Sequence, residues 1–195
     1  MLRNPKVPNF AIVAFPSKEV IDFIKRLKEK YSSKKYSSSL SFPIKLYDFP
    51  HLTIKRKFLL NSGISEMQLI KIINSIVKNF SPPKLATRKI KLFKKLNENT
   101  VYLEIKNNAN LLSSINEIQE VLRPITTTFE PKLETNFIPH LSILWQISDS
   151  RFAAVERIFE ENVPTFKFEI DKLYLLKSFG TSGKRKPINI FKLKT

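Results

Sequence analysis

The chain has no cysteine among its 195 residues. Disulfides, thiolate metal ligands and a cysteine nucleophile are thereby excluded. Glycine occurs three times, too few for the Gly-rich loops that cradle nucleotide phosphates. "TSGKRK" (181–186) sets a glycine before Lys184 but lacks the rest of a P-loop. No run of 18 or more apolar residues occurs, so no membrane-spanning helix is expected. "MLRNPKVPNFAIVAF" (1–15) has only a short, proline-broken apolar segment without a cleavage-like end. A cytoplasmic protein with no membrane partner is expected. Acid is scarce as well: 17 Asp and Glu face 34 Lys and Arg, a formal net charge of +17.

What is present is an apolar fraction of 42% with 16 phenylalanines, enough to bury a core in one domain or two fused lobes. The basic residues are clustered. Lys84, Arg88, Lys89, Lys91, Lys94 and Lys95 share one stretch with no acid between them, and Lys184, Arg185, Lys186, Lys192 and Lys194 lie near the C-terminus. Such an excess attracts polyanions by neutralising phosphates and releasing counterions. A solvated lysine-rich surface accounts for the same residues. Charge therefore supports an anionic partner without naming it.

Periodicity orders the chain. "FAIVAF" (10–15) reads as a buried strand, and "SKEVIDFIKRLKEKY" (17–31) as an amphipathic helix capped by Ser17. "SSKKYSSS" (32–39) reads as a polar loop. A strand around "PHLTIKRKF" (50–58) follows, then a helix over 65–80 ended by Pro82-Pro83 and a strand over 88–96. The second half predicts a strand over 100–106, a helix over 109–123 stopped by Pro124, and a strand over 140–147. A helix over 149–161 capped by Ser148 or Asp149, a long strand over 165–177 and a last one over 188–194 complete it. Phe10 and Val101 are 91 positions apart, and His51 and His140 are 89 apart. Both halves read strand, helix, histidine strand, helix, strand, an internal duplication of architecture. The expected class is α+β: two packed antiparallel sheets with helices outside.

The chain's two histidines stand in "PHLTI" and "PHLSI". Successive side chains of a strand point to opposite faces. His51 and Thr53 then share one face, as do His140 and Ser142, while Leu52, Ile54, Leu141 and Ile143 turn to the core. One His-x-Thr means little, since strands favour threonine. Two, each after a proline and in equivalent places of a repeat, point to a site. Across a pseudo-two-fold the two imidazoles can face one phosphate, one neutral and accepting a proton, the other charged and donating one. The hydroxyls can hold the non-bridging oxygens. If the alternation persists, Lys55 and Lys57 join the His51 face. Tyr47, Phe49, Trp145 and Phe179 are candidates for base stacking, with core or rim packing as the alternative. Two histidines fall short of a metal's usual ligand set. Asp48 and Glu134 are near the motifs in sequence, which does not place them beside the histidines, and no metal or cofactor is expected.

His51-Leu52-Thr53-Ile54 and His140-Leu141-Ser142-Ile143 resemble the paired histidine–hydrophobic–Thr/Ser–hydrophobic motifs of the 2H phosphoesterase superfamily, which includes 2′-5′ RNA ligase-like proteins and RNA 2′,3′-cyclic phosphodiesterases. The resemblance covers most of the chain in element order and is residue-specific around the two motifs. It implies a bilobal fold of two antiparallel sheets around a central cleft, with lobes of approximately 1–96 and 97–195 that exchange strands within one domain. It implies metal-independent opening of 2′,3′-cyclic phosphates at RNA ends, or ligation at 2′-linked phosphodiesters. His51 and His140 would be general acid and base, the roles unassigned between them, and Thr53 and Ser142 would bind phosphate. "KPINIF" (186–191) lacks the tyrosine that members often carry in the last strand. Alternatives are the same chemistry on a small nucleotide, a cyclic phosphate of a nucleotide sugar or a 2′-5′ oligoadenylate, and a non-catalytic RNA- or nucleotide-binding module. A monomer is expected.

Overall fold

A computed structural model describes residues 7–32, 50–94, 99–106, 108–129, 137–149, 152, 156–179 and 185–194. The polar loop expected over 32–39 and the residues Tyr47, Asp48, Phe49, Glu134 and Lys184 lie outside them, apart from Ser32 at the end of the first helix.

Along the chain the elements are β1 (Pro8–Ala14), α1 (Lys18–Ser32), β2 (Leu52–Leu60), α2 (Glu66–Val77), β3 (Lys84–Phe93), β4 (Asn99–Ile105), α3 (Ala109–Leu122), β5 (Thr126–Thr128), β6 (His140–Ile147), β7 (Lys167–Glu169), β8 (Lys172–Phe179) and β9 (Lys186–Lys192). Their apolar spacing explains the main ones. β1 is apolar at nearly every position and is buried on both faces. α1 turns Val20, Phe23, Ile24, Leu27 and Tyr31 inward. α2 starts at a capping box, Ser65 Oγ accepting from Gln68 N while the Gln68 side chain accepts from Ser65 N.

The strands join in one antiparallel sheet of order β7-β3-β4-β6-β2-β1-β8-β9, with β5 also on β2. This corrects the expectation of two sheets. The halves are joined where Leu52 of β2 pairs with Leu141 of β6. β6 then leaves the edge of β2, and β5 occupies it at Phe58–Leu60. The sheet is not flat. β7 and β8 are six places apart in the order, about 29 Å at 4.8 Å per strand. Only Ile170 and Asp171 link them, a reach of about 11 Å. The sheet must fold back so that its two ends meet near these residues. There Ile170 N donates to Pro83 O at 3.3 Å and Leu193 N to Asp171 O at 2.9 Å. The single long strand predicted over 165–177 is thus two strands six places apart in the order, divided at Ile170-Asp171.

Other differences are local. α2 ends at Val77, before Pro82-Pro83, because Asn79 N and Phe80 N turn back to Ile76 O and Val77 O. In the helix expected over 149–161, Asp149 and Phe152 are helical and Glu156–Glu160 is a 3-10 turn; the residues between are outside those described.

One core underlies one face of the folded sheet. Leu52, Ile54, Leu141, Ile143, Ile12, Ala14 and Leu103 belong to it, with Ile24 and Leu27 of α1 and Leu111 and Ile115 of α3. α1 packs against β6 and α3 against β2, so each helix covers the histidine strand of the other half. The face opposite this core carries the two motif histidines.

Candidate active site

The site is set by strand register. In β1–β2, Ala14 pairs with Leu52, Val13 with Thr53 and Ile12 with Lys55. In β4–β6, Leu103 pairs with Leu141, Tyr102 with Ser142 and Val101 with Leu144. The second set is the first with every number raised by 89. Both motif strands even carry the same irregularity, an extra residue at Ile54 and at Ile143.

The bridge at Leu52–Leu141 brings the motif strands together antiparallel. Carried one step each way, this register sets His51 opposite Ser142 and Thr53 opposite His140. Each imidazole has the other motif's hydroxyl as its cross-strand neighbour. The two histidines are then diagonal neighbours, with a spacing of about 7–8 Å between backbone positions.

The bulge at Ile54 changes the expected basic face. Lys55 pairs with Ile12, a core residue, and is 2% exposed, its Nζ 5.5 Å from the Phe58 ring centroid. Phe58 pairs with Phe10, which leaves Arg56 and Lys57 both opposite Ala11. Lys55 is therefore turned from His51, and Arg56, which strict alternation assigns to the core, takes the motif face. Its charge acts on His140. No periodicity marks a bulge, so sequence reasoning missed Arg56. Trp145 follows the equivalent bulge of β6 and is half-buried on the motif side. Phe179 is 53% exposed but belongs elsewhere. It follows the side of Lys177, whose Nζ is 2.6 Å from Glu66 Oε2 of α2 and 5.6 Å from the Phe179 ring, on the helix side of β8.

The surroundings of His140 are more fully defined. Its Nδ1 is 2.7 Å from Ile138 O. A carbonyl only accepts, so Nδ1 carries the proton and donates, and in the neutral ring Nε2 presents its lone pair. Its edge or face meets Phe93, centroids 4.9 Å apart, and Tyr102, 5.3 Å apart; Phe93 and Tyr102 stack at 3.9 Å. Burial among these rings lowers the His140 pKa; the Ile138 carbonyl opposes the shift and Arg56 adds to it. Burial raises the pKa of Tyr102, offset by Lys91 and reinforced by Glu104, so its hydroxyl stays protonated. Glu104 pairs across from His140 and is bound by Lys91, with Arg88 Nε 3.9 Å from Oε2. These two cations compensate a nearly buried carboxylate beside His140. Among the described residues no three His, Cys, Asp or Glu converge as a metal site.

The 2′-5′ RNA ligase superfamily model matches residues 16–181, a span that contains both motifs. The chain belongs to this superfamily of 2H phosphoesterases. Solved structures agree in fold. E. coli LigT complexed with NADP+ is 16% identical with a TM-score of 0.63, covering 97% of this chain and 100% of that one. E. coli LigT complexed with 3′-AMP has 14% identity, a TM-score of 0.61 and the same coverage. TT0787 of Thermus thermophilus has 15% identity and a TM-score of 0.54, covering 95% and 98% of the two chains. No curated protein matches the chain significantly. Among the described residues, no helix of this superfamily member is long and apolar enough to cross a membrane.

Proposed function

We propose that the protein is a cytoplasmic, metal-independent phosphodiesterase that opens 2′,3′-cyclic phosphates at RNA ends. The observation that carries this reading is the Leu52–Leu141 bridge, whose register, carried one step each way, supports an imidazole of one motif opposite the hydroxyl of the other. One histidine takes a proton from water as its oxygen attacks phosphorus. The other donates a proton to the departing ribose oxygen as the P–O ester bond breaks. The product is a phosphate monoester with a free vicinal hydroxyl, and proton exchange with solvent resets the pair. Thr53, Ser142 and Arg56 hold the non-bridging oxygens as charge shifts, while Lys57 and Trp145 border the substrate. With an RNA 5′-hydroxyl replacing water, the same steps form a 2′-5′ linkage.

This reading treats the chain as one domain of two related lobes, approximately 1–96 and 97–195, that exchange strands. The repeated register supports it, as does the pairing of β3 with β4 and of β8 with β1 across the lobe boundary. The LigT complexes with NADP+ and 3′-AMP favour a second reading, the same chemistry on a small nucleotide.

The test is turnover of an RNA oligonucleotide ending in a 2′,3′-cyclic phosphate, in excess EDTA, with His51→Ala and His140→Ala in parallel. The wild type should form a monoester, and each variant should lose at least about 10²-fold while remaining folded. Wild-type turnover in either variant overturns the acid–base pair. RNA binding without turnover in the wild type points to a binding module.

A further inference from the structure

Away from the motif junction, Lys78, Lys172, Lys192 and Lys194 line an open hollow of about 580 Å³ with Asp171 and Leu193. They come from the end of α2, the start of β8 and the end of β9. The fold forces them together: Lys194 N donates to Phe80 O at 2.9 Å, and Leu193 N to Asp171 O at 2.9 Å. Lys172 and Lys192 are direct cross-strand partners, and like charges directly opposite each other destabilise a sheet. One carboxylate offsets four ammoniums: Asp171 Oδ2 is 3.3 Å from Lys172 Nζ. Lys78, Lys192 and Lys194 make no ion pair among the described residues. The C-terminus of α2 accounts for Lys78. Among the described residues only Asp171, on Lys172, offsets the opposed pair Lys172 and Lys192.

Two of the hollow's lysines, Lys172 and Lys192, share a sheet face with the two-histidine junction. Thr53 pairs with Val13, Val13 with Tyr174, and Tyr174 with Ile190, a row across four strands on one face. Lys172 is two residues from Tyr174 on that face of β8, and Lys192 two residues from Ile190 on β9. Lys172 is therefore two strands from Thr53 and Lys192 three, each two residues along its strand from that row. Between them lies an apolar platform: Tyr174 meets Phe15 edge-on at 4.7 Å, and Ile190 is 53% exposed. Alternating apolar platform and ammonium cluster is the pattern by which single-stranded nucleic acid is held without sequence readout.

We infer that this lysine hollow is a second phosphate subsite, holding the RNA backbone a few nucleotides upstream of the reacting end. It rests on the proposed function for the site it feeds, and it makes the substrate an oligonucleotide strand rather than a mononucleotide.

The experiment measures binding of a fluorescent six-nucleotide RNA with a terminal 3′-phosphate by anisotropy, across a salt series, with a nucleoside 3′-monophosphate as competitor. Lys172→Gln/Lys192→Gln should weaken hexamer binding about ten-fold and reduce the salt slope by about 1.4, some 0.7 per lost phosphate contact. It should leave competition by the mononucleotide unchanged. Lys71→Gln/Lys167→Gln, which removes two exposed charges elsewhere, should stay within two-fold of wild type. Equal losses in both double variants mean diffuse charge only and overturn the subsite, as does unchanged hexamer binding in the first. Capture by phosphatidylserine vesicles through these lysines, with the hexamer bound no better than the mononucleotide, overturns it in favour of a lipid surface. Absence of cyclic-phosphate turnover with lysine-dependent hexamer binding sinks the phosphodiesterase reading and leaves the subsite standing.

Discussion

Leu52 of β2 pairs with Leu141 of β6, and this bridge holds the two histidine motifs in antiparallel register. Both leucines are fully buried, so the packing that joins the halves of the sheet also sets the register that, carried one step each way, brings His51 toward Ser142 and Thr53 toward His140. Stability and site geometry meet at the same pair.

Leu141→Ala should therefore cost about 2–5 kcal/mol of stability and lower turnover disproportionately, because the motif strands lose their registering contact. Denaturant titration alongside kinetics checks this. A large stability loss with undiminished kcat in the folded fraction would separate the bridge from the site.

Arg56 and Lys55 should behave oppositely. On the proposed function Arg56→Ala removes a charge-assisted phosphate contact, worth about 1.5–3 kcal/mol, so kcat/KM should fall about ten-fold or more. Lys55→Gln should change stability and leave kcat/KM within about two-fold, since Lys55 faces the core side of β2. Kinetics on a cyclic mononucleotide avoids contributions from a longer strand.

That contrast marks what the sequence conveys. The alternation of "HLTI" and "HLSI" and the shared proline made the motifs and their faces readable, because each depends on a few adjacent residues. The class, the strand around each histidine and helices α1 to α3 followed from apolar period. The break at Ile170-Asp171, the bulge at Ile54 and the β5 addition come from pairing with distant strands, which local pattern does not encode. Arg56 was invisible for that reason, and the Phe93, Tyr102 and Glu104 setting of His140 depends on β3 and β4 lying beside β6.

His140 should titrate below an ordinary imidazole, chiefly through burial, and Arg56→Ala should raise its pKa by removing a repelling charge. With two histidines in the chain, NMR of His51→Ala isolates its signal. A midpoint at or above the usual value contradicts the burial argument.

The same shift has a stability consequence. A His pKa depressed by folding means that below about pH 6.5 the unfolded chain takes up a proton that folded His140 resists. Its contribution is full above that pH and is lost as pH falls toward the folded pKa. His140→Gln should flatten this part of the stability curve between pH 7 and 5, measured as the difference in unfolding free energy from wild type. A constant difference across that window removes His140 as its source.

The most direct test of two-histidine catalysis is the pH dependence of kcat/KM on a 2′,3′-cyclic phosphate for the wild type, His51→Gln and His140→Gln. A bell-shaped wild-type profile, with each variant's residual activity missing a different limb, is the predicted result. A wild-type profile flat from pH 5 to 8, or the same bell retained in both variants, would contradict the account.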